Sequence, residues 1–343
     1  MIRVVHSPHA TAHVPGAEIW LGARTPGTEV AERVAAIESA LADLPHIEAT
    51  EHGSDVLFAV HDQDLVRHLR TVWSRWGEYG MDRVVPYLFP TSGMLGALPL
   101  REPVAPHAAA GRYCYDTMTL VGPGTWEAAR GAVDVALTCV DIVADGVVYG
   151  LTRPPGHHAT RSAYGGSCYL NNAAVAAQAL RNAGHERVAI IDIDAHHGNG
   201  TQDIFYARSD VLYASVHVDP GAGWFPHYAG FADEVGVGPG IGANLNQPLE
   251  PGTGDMRWLD AIIAIIDWVM RADADALVIS LGVDAAIDDP ESPLQVTQHA
   301  YFRAGELLGA LELPTVALQE GGYHLPTLGP LVRATLAGLD QGG

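Results

Sequence analysis

Ile190-Ile191-Asp192-Ile193-Asp194-Ala195-His196-His197-Gly198-Asn199-Gly200-Thr201 is the stretch on which the reading of this chain turns. The run from Val188 to Ile193 is short, β-branched and uninterrupted, so it reads as a strand buried on both faces. Acidic residues gather at its end, followed by two histidines and a glycine-rich turn. In open parallel α/β sheets, chemistry sits beyond the carboxyl ends of such strands. Asp194 and His196 are two apart, so on an extended chain they point the same way. A carboxylate and an imidazole on one side of a strand end make half of a zinc site. The bland alternative is that Asp192 and Asp194 cap a following helix and the histidines simply pack. That alternative must also account for Asp192, a costly group beside a buried strand unless it is paired or linked to a metal.

Four more apolar runs repeat the pattern. Val147 to Leu151 leads into Arg153-Pro154-Pro155-Gly156-His157-His158, where two prolines and a glycine stiffen a turn that holds adjacent histidines. Val211 to Val218 contains Ser215 and His217, the latter read as a packed core histidine. Ala276 to Val283 ends in Asp284, with Asp288-Asp289-Pro290 beyond. Val316 to Gln319 ends in Glu320-Gly321-Gly322-Tyr323-His324. Strands of this kind lie side by side in a parallel sheet, so their polar ends converge on one rim.

Between the strands, helical periodicity marks Glu29 to Leu44, Asp62 to Trp76 and Met256 to Met270. A helix from Pro123 to about Val143 has Thr125 as its expected N-cap. Asn172 to Ala183 is an Ala-rich helix stopped by Gly184, and a short helix is expected over Gln202 to Ala207. Met1 to Val5 reads as a first strand, followed by a surface loop with His6, His9 and His13. Tyr87 to Ala110, with Pro90, Pro99, Pro103 and Pro106, reads as a long loop or insertion, suited to rim a pocket or meet a second subunit. Gly238-Pro239-Gly240 lacks the strand–turn–helix setting of a nucleotide fingerprint. The chain is expected to form a single domain over residues 1–343.

The totals restrict the function. A formal charge of −21, with only 19 Lys plus Arg, argues against nucleic acid or an anionic membrane as partner and would suit a cationic substrate. Three widely spaced cysteines, Cys114, Cys139 and Cys168, suggest reduced thiols in a cytoplasm. No apolar run is long enough to span a bilayer, and the N-terminus shows no signal-peptide core. Seventeen histidines raise the prospect of metal chemistry without locating it.

The strand ends can be assigned chemical roles. Asp194, His196 and Asp284 supply three N/O ligands, the usual number at a catalytic zinc that keeps a position for water and substrate. Ferrous iron fits the same donors. His157 and His158 would manage protons, with Asp192 and Asn199 orienting their rings. Tyr323, on its Gly-Gly turn, can donate its phenol to a tetrahedral oxyanion. Together these residues make an amide hydrolase that forms no covalent intermediate. Cys168 has no basic partner visible in the sequence that would make it a nucleophile.

The stretches Arg153 to Ala159, Asp192 to Thr201, Gly282-Val283-Asp284 and Glu320 to Tyr323 resemble the signatures of the histone deacetylase superfamily, and within it the bacterial acetylpolyamine amidohydrolases. Pro123 to Ala128, Asn171 to Ala174, Thr201 to Tyr206 and Phe225-Pro226-His227 support the resemblance, which covers roughly residues 50–330. It implies an arginase-like three-layer α/β fold around a central, mostly parallel sheet of eight strands, one zinc, and deacylation of an acylated primary amine. Residue by residue, it implies Asp194, His196 and Asp284 as zinc ligands, His158 as general base, Asp192 behind His157, Asn199 behind the second imidazole, and Tyr323 as the transition-state tyrosine. It further implies a structural potassium held by backbone carbonyls at Asp192, Asp194, His196, Ser215 and Val216. The 87–110 loop matches a dimer-contact insertion, which implies a homodimer.

Two departures bear on substrate. Relatives wall the acyl tunnel with two aromatics; Phe225 matches one, but the other position is Ser167, in Gly165-Gly166-Ser167-Cys168. Losing that ring widens the entrance. Where polyamine-type relatives place acids for the distal ammonium, this chain has His107 and Met118, with Glu102 and Asp116 close by. Substrate contacts are therefore expected from Phe225, Ser167, Gly166, Asp116 and His107. The competing readings are hydrolysis of another small amide, such as a xenobiotic or secondary metabolite, a binuclear manganese hydrolase, or a non-catalytic binder of acylated amines.

Overall fold

The computed structural model describes residues 2–77, 82–144 and 146–342. Its centre is an eight-stranded sheet in the order β4-β1-β5-β10-β9-β6-β7-β8, with every neighbouring pair parallel. The strands are β1 (Arg3–His6), β4 (His46–Glu48), β5 (Val147–Gly150), β6 (Val188–Asp192), β7 (Val211–Val218), β8 (Asn244–Leu249), β9 (Ala276–Leu281) and β10 (Thr315–Gln319). The two remaining strands, β2 (Glu18–Trp20) and β3 (Ala23–Thr25), form a separate antiparallel hairpin.

Alternation along the strands builds two cores. Val4, Ile191, Ile279 and Ala317 face one, while their neighbours Val5, Ile190, Val278 and Val316 face the other. Both faces are therefore apolar, which is why these strands read as unbroken hydrophobic runs. One face carries α1 (Glu32–Ala40), α9 (Asp255–Arg271), α10 (Gln298–Gly309) and α11 (Leu325–Gly342). The other carries α2 (Asp55–Val60), α3 (Gln63–Trp76), α6 (Thr125–Ile142) and α7 (Asn172–Asn182). This gives the expected three layers. The weakly patterned strands β4 and β8 and the helices α2, α10 and α11 were not legible beforehand.

Local expectations shift in instructive ways. Thr125 is the first residue of α6, and Gly124, at φ +76°, takes the N-cap position. A Cβ on Gly124 would fall 2.2 Å from the Ala12 carbonyl oxygen, so only glycine fits there. The Thr125 hydroxyl instead accepts from the Gly122 amide and meets His13 Nδ1 at 2.9 Å. His13 is thus buried rather than on a surface loop, and burial pushes its pKa down to about 4. The 87–110 segment is not uniformly irregular. It holds the short helix α4 (Ser92–Leu95) and the start of α5 (Pro106–Tyr113), yet exposes Tyr87, Leu88, Met94, Leu98, Leu100 and Val104. The helix after the organising stretch, α8 (Asn199–Phe205), begins three residues earlier than the periodicity suggested.

Helices α10 and α11 meet through glycine. A Cβ on Gly305 would lie 2.2 Å from the Thr335 carbonyl oxygen, and one on Gly338 would lie 2.1 Å from that of Phe302. Gly338→Val should therefore force the two helices apart. The expected cost is about 2–3 kcal/mol, seen as a fall in Tm of roughly 3–4 °C by calorimetry, with turnover per folded molecule preserved.

Candidate active site

Strands β6 and β9 are neighbours, with Asp192 opposite Ser280. Asp194 lies two residues past the first and Asp284 four past the second, so both carboxylates arrive at one end of the sheet. His196 Nδ1 stands 3.0 Å from Asp284 Oδ2 and 3.3 Å from Asp194 Oδ1. Donor atoms from the three residues all lie within 4.8 Å of one another. Backbone amides hold the carboxylates from behind: Gly321 N donates to Asp194 Oδ2 at 2.7 Å, and Ala195 N to Asp284 Oδ1 at 2.8 Å. Gly282 and Gly321 permit this approach, since a Cβ on Gly282 would sit 2.0 Å from Asp194 Oδ2.

The electrostatics describe a cluster built for a cation. Burial and the neighbouring Asp194 push Asp284 up to about 7. Burial alone would lower the His196 pKa, but Asp194 and Asp284 hold it well above its ordinary value. A divalent cation here would supply charge that compensates the two buried carboxylates. One imidazole nitrogen and two carboxylates are a fitting donor set for zinc or ferrous iron.

The paired histidines approach from the 153–158 turn, their ring centroids 4.0 Å apart. His157 Nδ1 is 3.0 Å from Asp192 Oδ2, which also accepts from the Tyr213 hydroxyl. Burial opposes protonation of His157, but Asp194 and Asp192 overcome it and raise the pKa to about 10. His158 Nδ1 is 2.7 Å from Asn199 Oδ1, a neutral partner. Burial, together with the charge on His157 and His196, holds His158 well below the usual histidine range. With its Nδ1 proton donated to the amide, His158 keeps a free lone pair on Nε2.

Buried polar residues fix these turns. Glu320 Oε2 accepts from the Gly156 amide at 2.6 Å and from that of His157 at 3.2 Å. Arg33 donates to the carbonyls of Gly322 and Glu320, and its guanidinium lies 4.9 Å from the centroid of the Tyr323 ring. Glu29 bridges Arg33 and Arg153, and Arg153 also donates to the Ala10 and His13 carbonyls. Asp289 Oδ2 accepts from the Tyr323 amide at 2.7 Å. Burial holds the Tyr323 phenol well above 10, so it stays a neutral donor.

A cavity of about 410 Å³ opens above this floor. His158, His196 and Tyr323 line its base. Gly166, Ser167, Met118, Trp224 and Phe225 line its walls, with Glu18, Trp20 and Glu291 toward the β2–β3 hairpin and the 284–297 loop. Phe225, Ser167 and Gly166 thus lie where the sequence reading puts them. Asp116 and His107 do not line it among the described residues. The Asp116 carboxylate is consumed by the amides of Met118, Thr119 and Gly166 and by the Thr119 hydroxyl. His107 stacks on Tyr87, centroids 6.3 Å apart. His217 is the packed histidine expected, bonded to the Ser215 hydroxyl and the Gly230 carbonyl. Glu18 and Glu291 went unread because Glu18 opens a three-residue strand too short to show a period and Glu291 lies in a loop. The only sequence signal was the run of acids around Pro290.

A parallel α/β sheet whose strand ends deliver an Asp-His-Asp donor set beside paired histidines and a tyrosine defines a class of metal-dependent hydrolytic centre. The chain belongs to the histone deacetylase domain family, which it matches over residues 27–339. It is 42% identical to the acetylpolyamine amidohydrolase of Burkholderia pseudomallei over 345 residues, covering 98% of each chain. It is 37% identical to that of Mycoplana ramosa over 343 residues, covering 98% of this chain and 99% of the relative. The solved structure of an acetylpolyamine aminohydrolase from Burkholderia pseudomallei superposes with a TM-score of 0.93 at 40% identity, covering 99% of this chain and 98% of that one. The Asp-His-Asp cluster predicts that Asp284→Ala loses its bound divalent metal while circular dichroism stays native. Tyr323→Phe should keep one metal per chain, as measured by plasma emission.

Proposed function

We propose that this chain is a metal-dependent deacylase that hydrolyses the amide of a small acylated amine bearing a second positive charge, as in acetylated polyamines. One observation carries the reading: the floor of the cavity presents His158, His196 and Tyr323, and its walls present Glu18 and Glu291. Burial and the Glu291 carboxylate push Glu18 up to about 7, the mark of two acids facing one confined space. A substrate ammonium between them would offset their mutual repulsion. The names of the relatives support the same substrate class.

Asp194, His196 and Asp284 would hold the metal, zinc or ferrous iron. When bound, it supplies a Lewis acid that polarises the amide carbonyl and acidifies water. The protein does the rest. His158, neutral and anchored through Nδ1 to Asn199, takes the proton of the attacking water at Nε2. His157, held protonated by Asp192, steadies the negative charge beside it. Tyr323 donates its phenolic proton to the oxyanion from a turn clamped by Asp289 and Arg33. The proton His158 has taken passes to the leaving amine. Apolar stretches of the substrate lie against Phe225, Trp224 and Met118.

Backbone carbonyls at Asp192, Asp194, His196, Ser215 and Val216 are proposed to hold a structural potassium. The pairing of Asp192 with Ser215 on adjacent strands supports this. The apolar side chains exposed over residues 87–104 support a homodimer formed by that segment. A single catalytic domain in a reducing cytoplasm accommodates the three buried free thiols. No helix among the described residues is long and apolar enough to cross a membrane. A second reading, hydrolysis of a bulkier neutral amide, is favoured by Ser167, which stands in the cavity wall where relatives carry an aromatic ring, and by Met118, an apolar residue where polyamine-type relatives carry an acid.

Kinetics on acetylputrescine, acetylcadaverine, an acetyl-lysine peptide and bulky N-methyl amides separates these readings. Preference for acetyl-diamines by orders of magnitude supports the first, and preference for the neutral amides overturns it. Tyr323→Phe should lower kcat by roughly 100-fold or more with little change in KM. Glu18 is ionised above about pH 7 and neutral below it. KM for a cationic amide should therefore rise roughly tenfold as pH falls through 7. A neutral amide should show no such rise, and Glu18→Gln should abolish the difference between them.

A further inference from the structure

A second cluster of ligand-type groups shares His157 with the site above and adds two residues, Cys168 and Glu320, that the reaction does not use. His157, Cys168 and Glu320 each place a donor atom within 4.8 Å of the other two, and all three residues are buried. Glu320 uses one carboxylate oxygen on the Gly156 and His157 amides. Its other oxygen, Oε1, is buried with no hydrogen-bond partner among the described residues. A buried carboxylate with one oxygen unpartnered, grouped with a thiol and an imidazole, is the arrangement that a borderline-soft cation completes.

We propose that His157, Cys168 and Glu320 form a second metal site, selective for thiophilic divalent cations such as zinc or cobalt, whose occupation inhibits the enzyme. Binding displaces the Cys168 thiol proton and the proton on the ligating His157 nitrogen, both of which leave to solvent, and forms bonds from the cation to sulfur, oxygen and nitrogen. Thiolate and carboxylate together balance the charge of a dication. The inhibition follows from the shared imidazole. A cation on either ring nitrogen of His157 prevents that ring from carrying its proton and breaks its working arrangement between Asp192 and the reaction centre. Hard cations such as magnesium lack affinity for sulfur and are excluded. This inference does not depend on which amide the enzyme hydrolyses.

The test uses the protein carrying one zinc per chain, which is spectroscopically silent, titrated with cobalt(II). The wild type should develop a thiolate-to-cobalt charge-transfer band in the near ultraviolet that saturates at one equivalent. Amide hydrolysis should fall in parallel by roughly 100-fold, the scale of a lost proton-managing group. Cys168→Ala should keep its basal activity and show neither band nor inhibition, whereas Cys139→Ala, whose thiol lies in the core on α6, should behave as wild type. Absence of the band in the wild type overturns the site whether or not the variants fold, as does a band that persists in Cys168→Ala. A saturating band with undiminished turnover overturns the inhibitory role. Magnesium should give no loss of activity at equal concentration, and inhibition by magnesium overturns the thiophilic assignment.

Discussion

Two buried carboxylates, Asp194 and Asp284, are brought together at the ends of adjacent parallel strands. Each would be costly there alone, and together they repel one another. The fold tolerates them because backbone amides bind each from behind and because His196 stands between them, where a cation can complete the charge balance. Most of the special features nearby follow from this constraint. Gly282 and Gly321 leave room for the carboxylates, and the amides of the 320–323 turn are aimed inward rather than out to solvent.

The same turn is held from several directions. Arg33 takes its carbonyls, Asp289 takes an amide, and Glu29 ties Arg33 to Arg153, which anchors the histidine turn and the 10–13 loop. Buried ion pairs of this kind are poor sources of net stability, because desolvation offsets most of the Coulomb gain. Their value here is positional. They set the separation between the Tyr323 turn and the paired histidines, which is what a reaction needing a donor and a base on one carbonyl requires.

The histidine pair shows how adjacent residues acquire different roles. His157 faces a carboxylate and His158 an amide, so one imidazole is held charged and the other neutral. The difference comes from the partners, Asp192 on β6 and Asn199 at the start of α8. Both partners lie in the organising stretch of the sequence, which therefore supplies metal donors and sets the protonation of the residues opposite.

Much of this was decided by sequence alone. Five apolar runs identified the central strands, because a strand buried on both faces must be hydrophobic throughout. The polar residue following each run identified the functional rim, because parallel strands all end at one edge. Residues without such a pattern stayed silent. Strands β4 and β8 lie at the sheet edges and mix polar with apolar residues, and α10 and α11 pack through glycines that periodicity does not count. Only the tertiary structure could show that the Asp116 carboxylate is spent on local amides, that His107 is stacked away from the cavity, and that Glu18 and Glu291 come together from segments some 270 residues apart. A side chain's type and local spacing are written in the chain, whereas the direction it faces is settled by what packs beside it.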